Sequence, residues 1–386
     1  MSGKYILVTG GSFINKGAQA MTFITVDQMG RRFPDCEVVL FSHYEARLPE
    51  AEKRKYRMRF MRFPKRKERI LLRLGIRNEY TEIFRNAVAM LDISGYRLGS
   101  NWGVSSVKGY LMKIELARRF GIPVYLLPQS FGPFDFHGIK SWGLHGRIRR
   151  TLSEVSCIMA REERSYRQLT ERYGLTNVKL TPDLVLQARE MDKRNIFVEE
   201  PPPLDLMVER GGVAVIPNSR NMEYGDREEL FAVYGKLFER LLSHGKKVYL
   251  IYHAIEDLPL CKELKKRFAS DREDVVVVER DLNCLEFSEV VRKLDFVVAS
   301  RFHSIVHAYK EKVPALILGW ADKYHELAKT LGQERFFFDV REGLDAEKLL
   351  PQLDWLMEHS AEESKTIGER LAEIQKDNVY DLIRLK

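Results

Sequence analysis

The sequence has no uninterrupted apolar run approaching the roughly 20 residues that a membrane-spanning helix needs. Its beginning, Tyr5-Ile6-Leu7-Val8-Thr9-Gly10-Gly11, reads as a strand and turn, so neither a span nor a secretory leader is expected. Cysteine is scarce. Cys36, Cys157, Cys261 and Cys284 stand far apart with no C-x-x-C spacing, which argues against a disulfide-stapled extracellular fold and against a cysteine zinc site. A reducing cytoplasm is the compartment that fits. Glycine and proline, 25 and 14 of 386 residues, are too few for collagen or low-complexity disorder. With 45% hydrophobic residues, the length supports two or three domains with their own cores, at roughly 100–200 residues each.

Positive charge is present but unevenly placed. The formal net charge is +8, yet the stretch Lys53–Arg73, KRKYRMRFMRFPKRKERILLR, holds eleven Lys and Arg against the single acid Glu68. The remaining chain is therefore slightly acidic. Cations alternate in that stretch with Tyr56, Met58, Phe60, Met61, Phe63, Ile70, Leu71 and Leu72. The pattern suits peripheral contact with an anionic membrane. Nucleic acid would attract the same charge, and a solvated face without a partner is the third reading. The membrane surface is the expectation kept, at the inner face of the membrane and without a nucleic-acid partner.

Short apolar runs rich in Val, Ile and Leu alternate with longer helical patterns: YILVTG, a stretch from about Gly17 to Phe33, then CEVVLFSH. That is a βαβ beginning. Further strand candidates are Ala89–Ile93, Pro123–Leu127 and Ser156–Ala160. Around Val198 the rhythm breaks into VEEPPPLDLMVERGG and then resumes with VAVIP, KKVYLIYH, DVVVVE, DFVVASR and VPALILGW. From these runs the chain is expected to be α/β, with an N-terminal Rossmann-like domain over 1–198, a linker over 199–212 and a C-terminal Rossmann-like domain over 213–344. Helices over 345–386 are expected to pack on or across the domains. Two such halves facing a cleft would place ligands where strands run into helices.

The junctions are accordingly the places to look for chemistry. The first, Gly10 to Ala18, contains Asn15 and Lys16 among small residues that let backbone amides approach an anion, but it is neither a Walker A loop nor a G-x-G-x-x-G turn. A tight turn is its plainer reading. The second, Asp92–Gly103, crowds glycine with Tyr96, Asn101 and Trp102, as a sugar-binding loop or an ordinary turn would. Pro128-Gln129-Ser130-Phe131-Gly132-Pro133-Phe134 has the same double character. In Met159–Ser165, Arg161 stands at a strand tip, where it could clamp a carboxylate or phosphate, or pair with Glu162, Glu163 or Asp183.

The strongest constellation is Val297–Ala308, an apolar strand that opens a helix through Ser300, Arg301, Phe302 and His303. Ser300 is a candidate cap. Arg301 and the first-turn amides form an anion site, and His303 adds a titratable group beside it. His303 and His307 share a helical face, but Ser304 stands where a metalloprotease motif has its Glu, so no metal is expected and His307 reads as a packed helix residue. Downstream, Lys323 in LGWADKYHE supplies another cation. There is no G-x-S-x-G elbow and no flanking pattern that marks a nucleophilic cysteine.

The succession GGSFINKGAQA, DISGYRLGSNWG, PQSFGPF, AREERS, TPDLVL, ASRFHSIVHA and GWADKYHEL resembles the polysaccharide pyruvyl transferase family, in the family's order and over roughly residues 5–335. The resemblance implies a GT-B-like pair of domains. It also implies transfer of the enolpyruvyl unit of phosphoenolpyruvate, a co-substrate, onto a glycan or lipid-linked saccharide, forming a pyruvate ketal without metal or organic cofactor. His303, which the resemblance puts among the donor positions, is expected to be the catalytic acid, because an imidazolium can protonate the methylene carbon. Arg161, Ser300, Arg301, Phe302 and Lys323 fall on the donor side, and Asn15, Lys16, Asn101 and Gln129 on the acceptor side. The first loop departs from the family's Asn-x-Gly-Asp-Glu-Ala form, carrying Ala18 and Gln19 in place of the two acids. The competing expectations are a GT-B glycosyltransferase using a nucleotide sugar and a non-catalytic glycan- or anion-binding relative.

Overall fold

The structure is a computed structural model that describes residues 3–206 and 208–386. The chain divides into two compact units. One comprises the residues up to Phe13, Met21–Pro201 and Asn378–Lys386; the other comprises Ile14–Ala20 and Pro202–Asp377. The break at Pro201 falls in the proline run, where the missing amide hydrogens discourage both helix and sheet.

The first unit is built on β1 (Lys4–Thr9), β2 (Cys36–Phe41), β3 (Arg59–Met61), β4 (Ala87–Asp92), β5 (Tyr96–Leu98), β6 (Val124–Phe131), β7 (Cys157–Ala160) and β8 (Val178–Leu180). Their order is β3-β2-β1-β4-β6-β7-β8, all parallel, with β5 beside the end of β6. β4 and β6 are buried along their whole length, as expected for central strands covered by helices on both faces. β6 is longer than the Pro123–Leu127 expectation and runs on through Phe131. Its pairing with β7 shifts register between Leu126 and Gln129, an irregularity that accommodates Pro128, which cannot donate to the ladder.

The basic stretch also differs from the surface-seeking segment that was expected. Met58, Phe60, Met61 and Leu72 are in the core; Phe60 and Met61 lie on β3, paired with β2, and Leu72 is on the helix Arg66–Arg73. Arg54, Lys55, Arg57 and Arg62 are exposed, and so is much of the helix Arg66–Arg73 with its exit, where Ile70, Leu74 and Ile76 are 46%, 69% and 47% exposed among the exposed cations Lys65, Lys67 and Arg73.

The second unit holds β9 (Gly212–Ile216), β10 (Val248–Ile251), β11 (Val275–Val278), β12 (Leu294–Ala299), β13 (Ala315–Gly319) and β14 (Phe337–Asp339), parallel and in the order β11-β10-β9-β12-β13-β14. This is the dinucleotide-fold order, with its reversal between β9 and β12. The helix Ala346–Ile374 completes this unit by laying Leu349, Leu353 and Leu356 onto the core of β9, β10, β12 and β13. The tail returns to the first unit. There the Tyr380 hydroxyl bonds Thr25 at 2.7 Å and the Lys386 amide donates to the Val88 carbonyl. Among the described residues no helix is long and apolar enough to cross a membrane.

Candidate active site

In doubly wound sheets the ligand crevice lies beyond the carboxyl ends of the strands where their order reverses. In the second unit that point is the end of β9 and β12, occupied by Asn218-Ser219-Arg220-Asn221 and by Ser300-Arg301-Phe302-His303. The helix Phe302–Lys310 begins there, so its positive end points out of the sheet. Ser300 does not cap it. Arg301 takes the N-cap position without a capping side-chain bond, and the Ser304 hydroxyl donates back to the Arg301 carbonyl at 2.6 Å. Ser300 is buried, and its carbonyl accepts from Asn218 Nδ2 at 3.1 Å and from the Tyr324 hydroxyl at 3.2 Å.

Arg301 is held by acids from the loop after β10. Its Nε donates to Asp257 Oδ2 at 2.7 Å and its Nη2 to Asp257 Oδ1 at 2.8 Å and Glu256 Oε1 at 2.9 Å. Asp257 is fully buried, and its Oδ1 also accepts from the Ser219 amide and hydroxyl. Burial disfavours the guanidinium charge, but the hydrogen bonds and charges of Asp257 and Glu256 outweigh it and hold the Arg301 pKa above its ordinary value. The two-pronged pairing fixes the plane of the group. It leaves Nη1 without a partner among the described residues.

His303 is half-buried, two residues into this junction. The first turn of the helix Lys16–Arg32 lies against it so closely that a Cβ at Gly17 would stand 2.2 Å from the imidazole Cγ. Asn15 caps that turn, its Oδ1 accepting from the amides of Gly17 and Ala18 at 2.9 and 3.2 Å. Lys16 is buried, and its Nζ reaches Asp281 Oδ1 at 3.0 Å and the His253 carbonyl at 3.3 Å. Gln19 accepts from the Cys284 amide at 2.8 Å.

Lys323 places its ammonium 5.1 Å over the Phe302 ring and 5.6 Å over Trp320 and Tyr324, so aromatic faces hold this cation at the end of β13. Behind the site His253 is 1% exposed, with its ring 6.1 Å from that of His307. Burial first, and then the nearby His307, Lys16, His303 and Arg301, depress its pKa well below the ordinary histidine value. His307 is buried and its Nδ1 lies 3.1 Å from the Ser288 hydroxyl. Among the described residues no three His, Cys, Asp or Glu side chains gather as a metal ion would need.

The other residues singled out from the sequence are in the first unit. Arg161 is nearly covered, donating to Asp183 at 2.9 Å and to the Ser130 hydroxyl at 2.7 Å, with Glu162 at 3.6 Å. Asp183 and Glu162, both considered as its partners, are thus beside it. Gln129 lies inside β6, fully buried, and donates to Asp92 at 3.2 Å, so it braces a polar cluster and presents no surface to a saccharide. That cluster, at the end of β4, also brings the hydroxyls of Thr9, Ser94 and Tyr110 to the Asp92 carboxylate. Asn101 is exposed on a short turn beside Tyr96 and Trp102, over which the Arg97 guanidinium lies at 4.4 Å.

A comparison with protein families decides what this arrangement belongs to. The sequence model of the family described as polysaccharide pyruvyl transferase matches residues 15–322, most of the chain. The chain belongs to the polysaccharide pyruvyl transferase family. No curated protein matches its sequence. Among solved structures it is similar to a putative UDP-N-acetylglucosamine 2-epimerase from Listeria monocytogenes, with a TM-score of 0.59 at 13% identity over 95% of this chain and 91% of that one. The UDP-GlcNAc 2-epimerase of Methanocaldococcus jannaschii gives 0.57 at 14% identity over 92% of each chain. HepE of Anabaena, solved with UDP and glucose, gives 0.56 at 12% identity over 98% and 97%. At such identities the likeness shows the fold, which is GT-B-like, and nothing finer.

The family's motif residues were legible, but the side chains that orient them were not. Asp257 and Glu256 sit in YHAIED and Asn218 and Asn221 in PNSRN, both directly after strands, where the junction rule applied elsewhere would have found them. His253 carried no such signal, since an isolated histidine after a strand resembles any core residue.

Proposed function

We propose that this member of the pyruvyl transferase family moves the enolpyruvyl unit of phosphoenolpyruvate onto a saccharide, closing a cyclic ketal and releasing phosphate. The observation that carries the reading is the junction after β12. A helix N-terminus, an Arg301 fixed by a buried Asp257, and Lys323 over Phe302 belong to the same junction as half-buried His303. Phosphoenolpyruvate carries a carboxylate and a phosphate on a compact frame, and these groups answer that charge.

In the proposed reaction His303, as imidazolium, gives a proton to the methylene carbon, and an oxocarbenium-like centre forms at the adjacent carbon. A saccharide hydroxyl adds there. Cleavage of the carbon–oxygen bond then expels phosphate, whose developing charge Arg301 and Lys323 stabilise, and a second hydroxyl closes the ketal. Of the two hydroxyl protons, one replaces the proton now in the methyl group and the other leaves on phosphate. No metal or organic cofactor enters these steps.

The acceptor is proposed to be a glycan or its lipid-linked precursor at the inner face of the membrane. The exposed Ile70, Leu74 and Ile76, set among cations, offer the peripheral contact. Release of phosphate from phosphoenolpyruvate with pyranoside diols as acceptors tests the reaction. His303→Ala should slow it by about 10²–10⁴-fold, the usual worth of a general acid; near-normal turnover would require another proton donor. UDP-sugars belong in the same assay, because the fold is shared with proteins solved with UDP.

A further inference from the structure

Beside the junction after β12 lies a second surface that the reaction above does not use. Tyr224, at the end of the short helix Asn221–Tyr224 after β9, stacks on Trp320 with ring centroids 4.2 Å apart and planes within 4° of parallel. Tyr224 is 44% exposed. One face of its ring is covered by Trp320, and nearly half of the residue's surface remains open. The pair is tied down from beneath. Fully buried Asn221 donates from Nδ2 to the Leu318 carbonyl of β13 at 2.9 Å, and Asn218 Nδ2 ties the same segment to the Ser300 carbonyl. Lys323 stands 5.6 Å from Trp320 and 5.1 Å from Phe302, whose ring centroid is 5.4 Å from that of His303. Contacts bridged by Lys323 between Trp320 and Phe302, and edge-on between Phe302 and His303, therefore lead from Tyr224 to the proposed proton donor.

We propose that the Tyr224–Trp320 pair is a platform for a pyranose ring of the acceptor, resting on the transferase reading above. A flat, rigid, exposed aromatic face with a polar edge suits a ring that is apolar across its carbon–hydrogen face and polar at its rim. An isolated exposed tyrosine would not support this. The parallel backing by Trp320 and the anchored Asn221 remove the rotamer freedom that binding would otherwise have to freeze. The Lys323 ammonium stands between Trp320 and Phe302, so an anionic donor is favoured on its Phe302 side, toward His303, which leaves the Tyr224 side for the neutral ring. A nucleobase is the competing occupant of such a face.

Saturation-transfer NMR with simple methyl hexopyranosides tests the platform without any donor. The wild-type protein should transfer magnetisation to the carbon-bound ring protons of the pyranoside. Tyr224→Ala should lose the signal, with affinity weaker by about tenfold, and Tyr224→Phe should keep it. Phosphoenolpyruvate binding, measured in parallel, should be the same in all three proteins. Equal pyranoside signals in wild type and Tyr224→Ala, no pyranoside binding by the wild type, or displacement of the pyranoside by uridine with Tyr224-dependent affinity would each overturn the platform. Absence of phosphoenolpyruvate binding with the pyranoside result intact would instead strike the transferase reading alone.

Discussion

Gly17→Ala separates the placement of His303 from the stability of the fold. The added methyl would stand 2.2 Å from the imidazole Cγ, 2.5 Å from Cδ2 and 2.6 Å from Nδ1. Carbon atoms in good contact sit about 3.5–4.0 Å apart, so the ring must retreat by more than about 1 Å. A displacement of that size at a reacting group costs on the order of 100-fold in rate. For the helix Lys16–Arg32 the change is favourable, since alanine in place of glycine is worth roughly 0.5–1 kcal/mol where the backbone conformation is compatible. If the ring turns aside, the fold keeps or gains stability while turnover falls. If it cannot, overpacking costs about 1–3 kcal/mol and turnover still falls. Phosphate release gives the rate, chemical denaturation the stability, and the His303 ring nitrogen shifts the displacement. Gly109→Ala is the control, because a Cβ there meets nothing within 4 Å. An unchanged rate in Gly17→Ala with a moved imidazole would refute the placement argument, and unmoved shifts would refute the packing.

Arg301→Ala should destabilise the protein by about 3–5 kcal/mol, because it leaves the fully buried Asp257 carboxylate unpaired; adding Asp257→Asn should recover much of that in the denaturation midpoint. His253 has its pKa depressed in the fold, so the unfolded chain binds more protons as pH falls below about 6.5. Stability contributed by the neutral ring should be complete above that pH and decline below it, and His253→Phe should flatten the decline in denaturation curves run at several pH values. Asp92→Ala strands the buried Thr9, Tyr110 and Gln129 donors and should cost at least about 1–3 kcal/mol by the same measurement. Flotation with anionic vesicles should carry the protein at low salt and release it at high salt. Replacing Ile70 and Leu74 by Ser should abolish flotation, whereas flotation untouched by both changes would remove the membrane role from this helix.

The alternation of apolar runs with helical patterns made both sheets legible, because parallel strands covered on two faces are apolar throughout. Short edge strands were not legible. β3, β8 and β14 are three residues each and are held by pairing to a longer neighbour, which leaves little trace in composition. Pro128 hid the second half of β6, since a proline reads as the end of a strand unless its partner register is known. The basic stretch misled for a related reason. Alternation of cation and apolar residue describes a membrane-facing helix and an edge strand with one buried face equally well, and only pairing with β2 shows which applies to Met58–Met61. In the site, Arg301, His303 and Lys323 were visible because charged and titratable groups at strand ends stand out. Asp257 lay within reach of the same junction rule, but its hold on Arg301 was not legible, because that pairing spans 44 residues of sequence.

Calorimetric titration with phosphoenolpyruvate, beside UDP-sugars as parallel ligands, addresses the donor without knowledge of the acceptor. Lys323→Ala is the variant to use, since it leaves the Arg301–Asp257 pair intact. The account predicts saturable phosphoenolpyruvate binding that weakens by about tenfold or more in the variant, as the loss of a charge-assisted contact should. No phosphoenolpyruvate binding, with a UDP-sugar bound in its place, would contradict it and make the protein a sugar transferase.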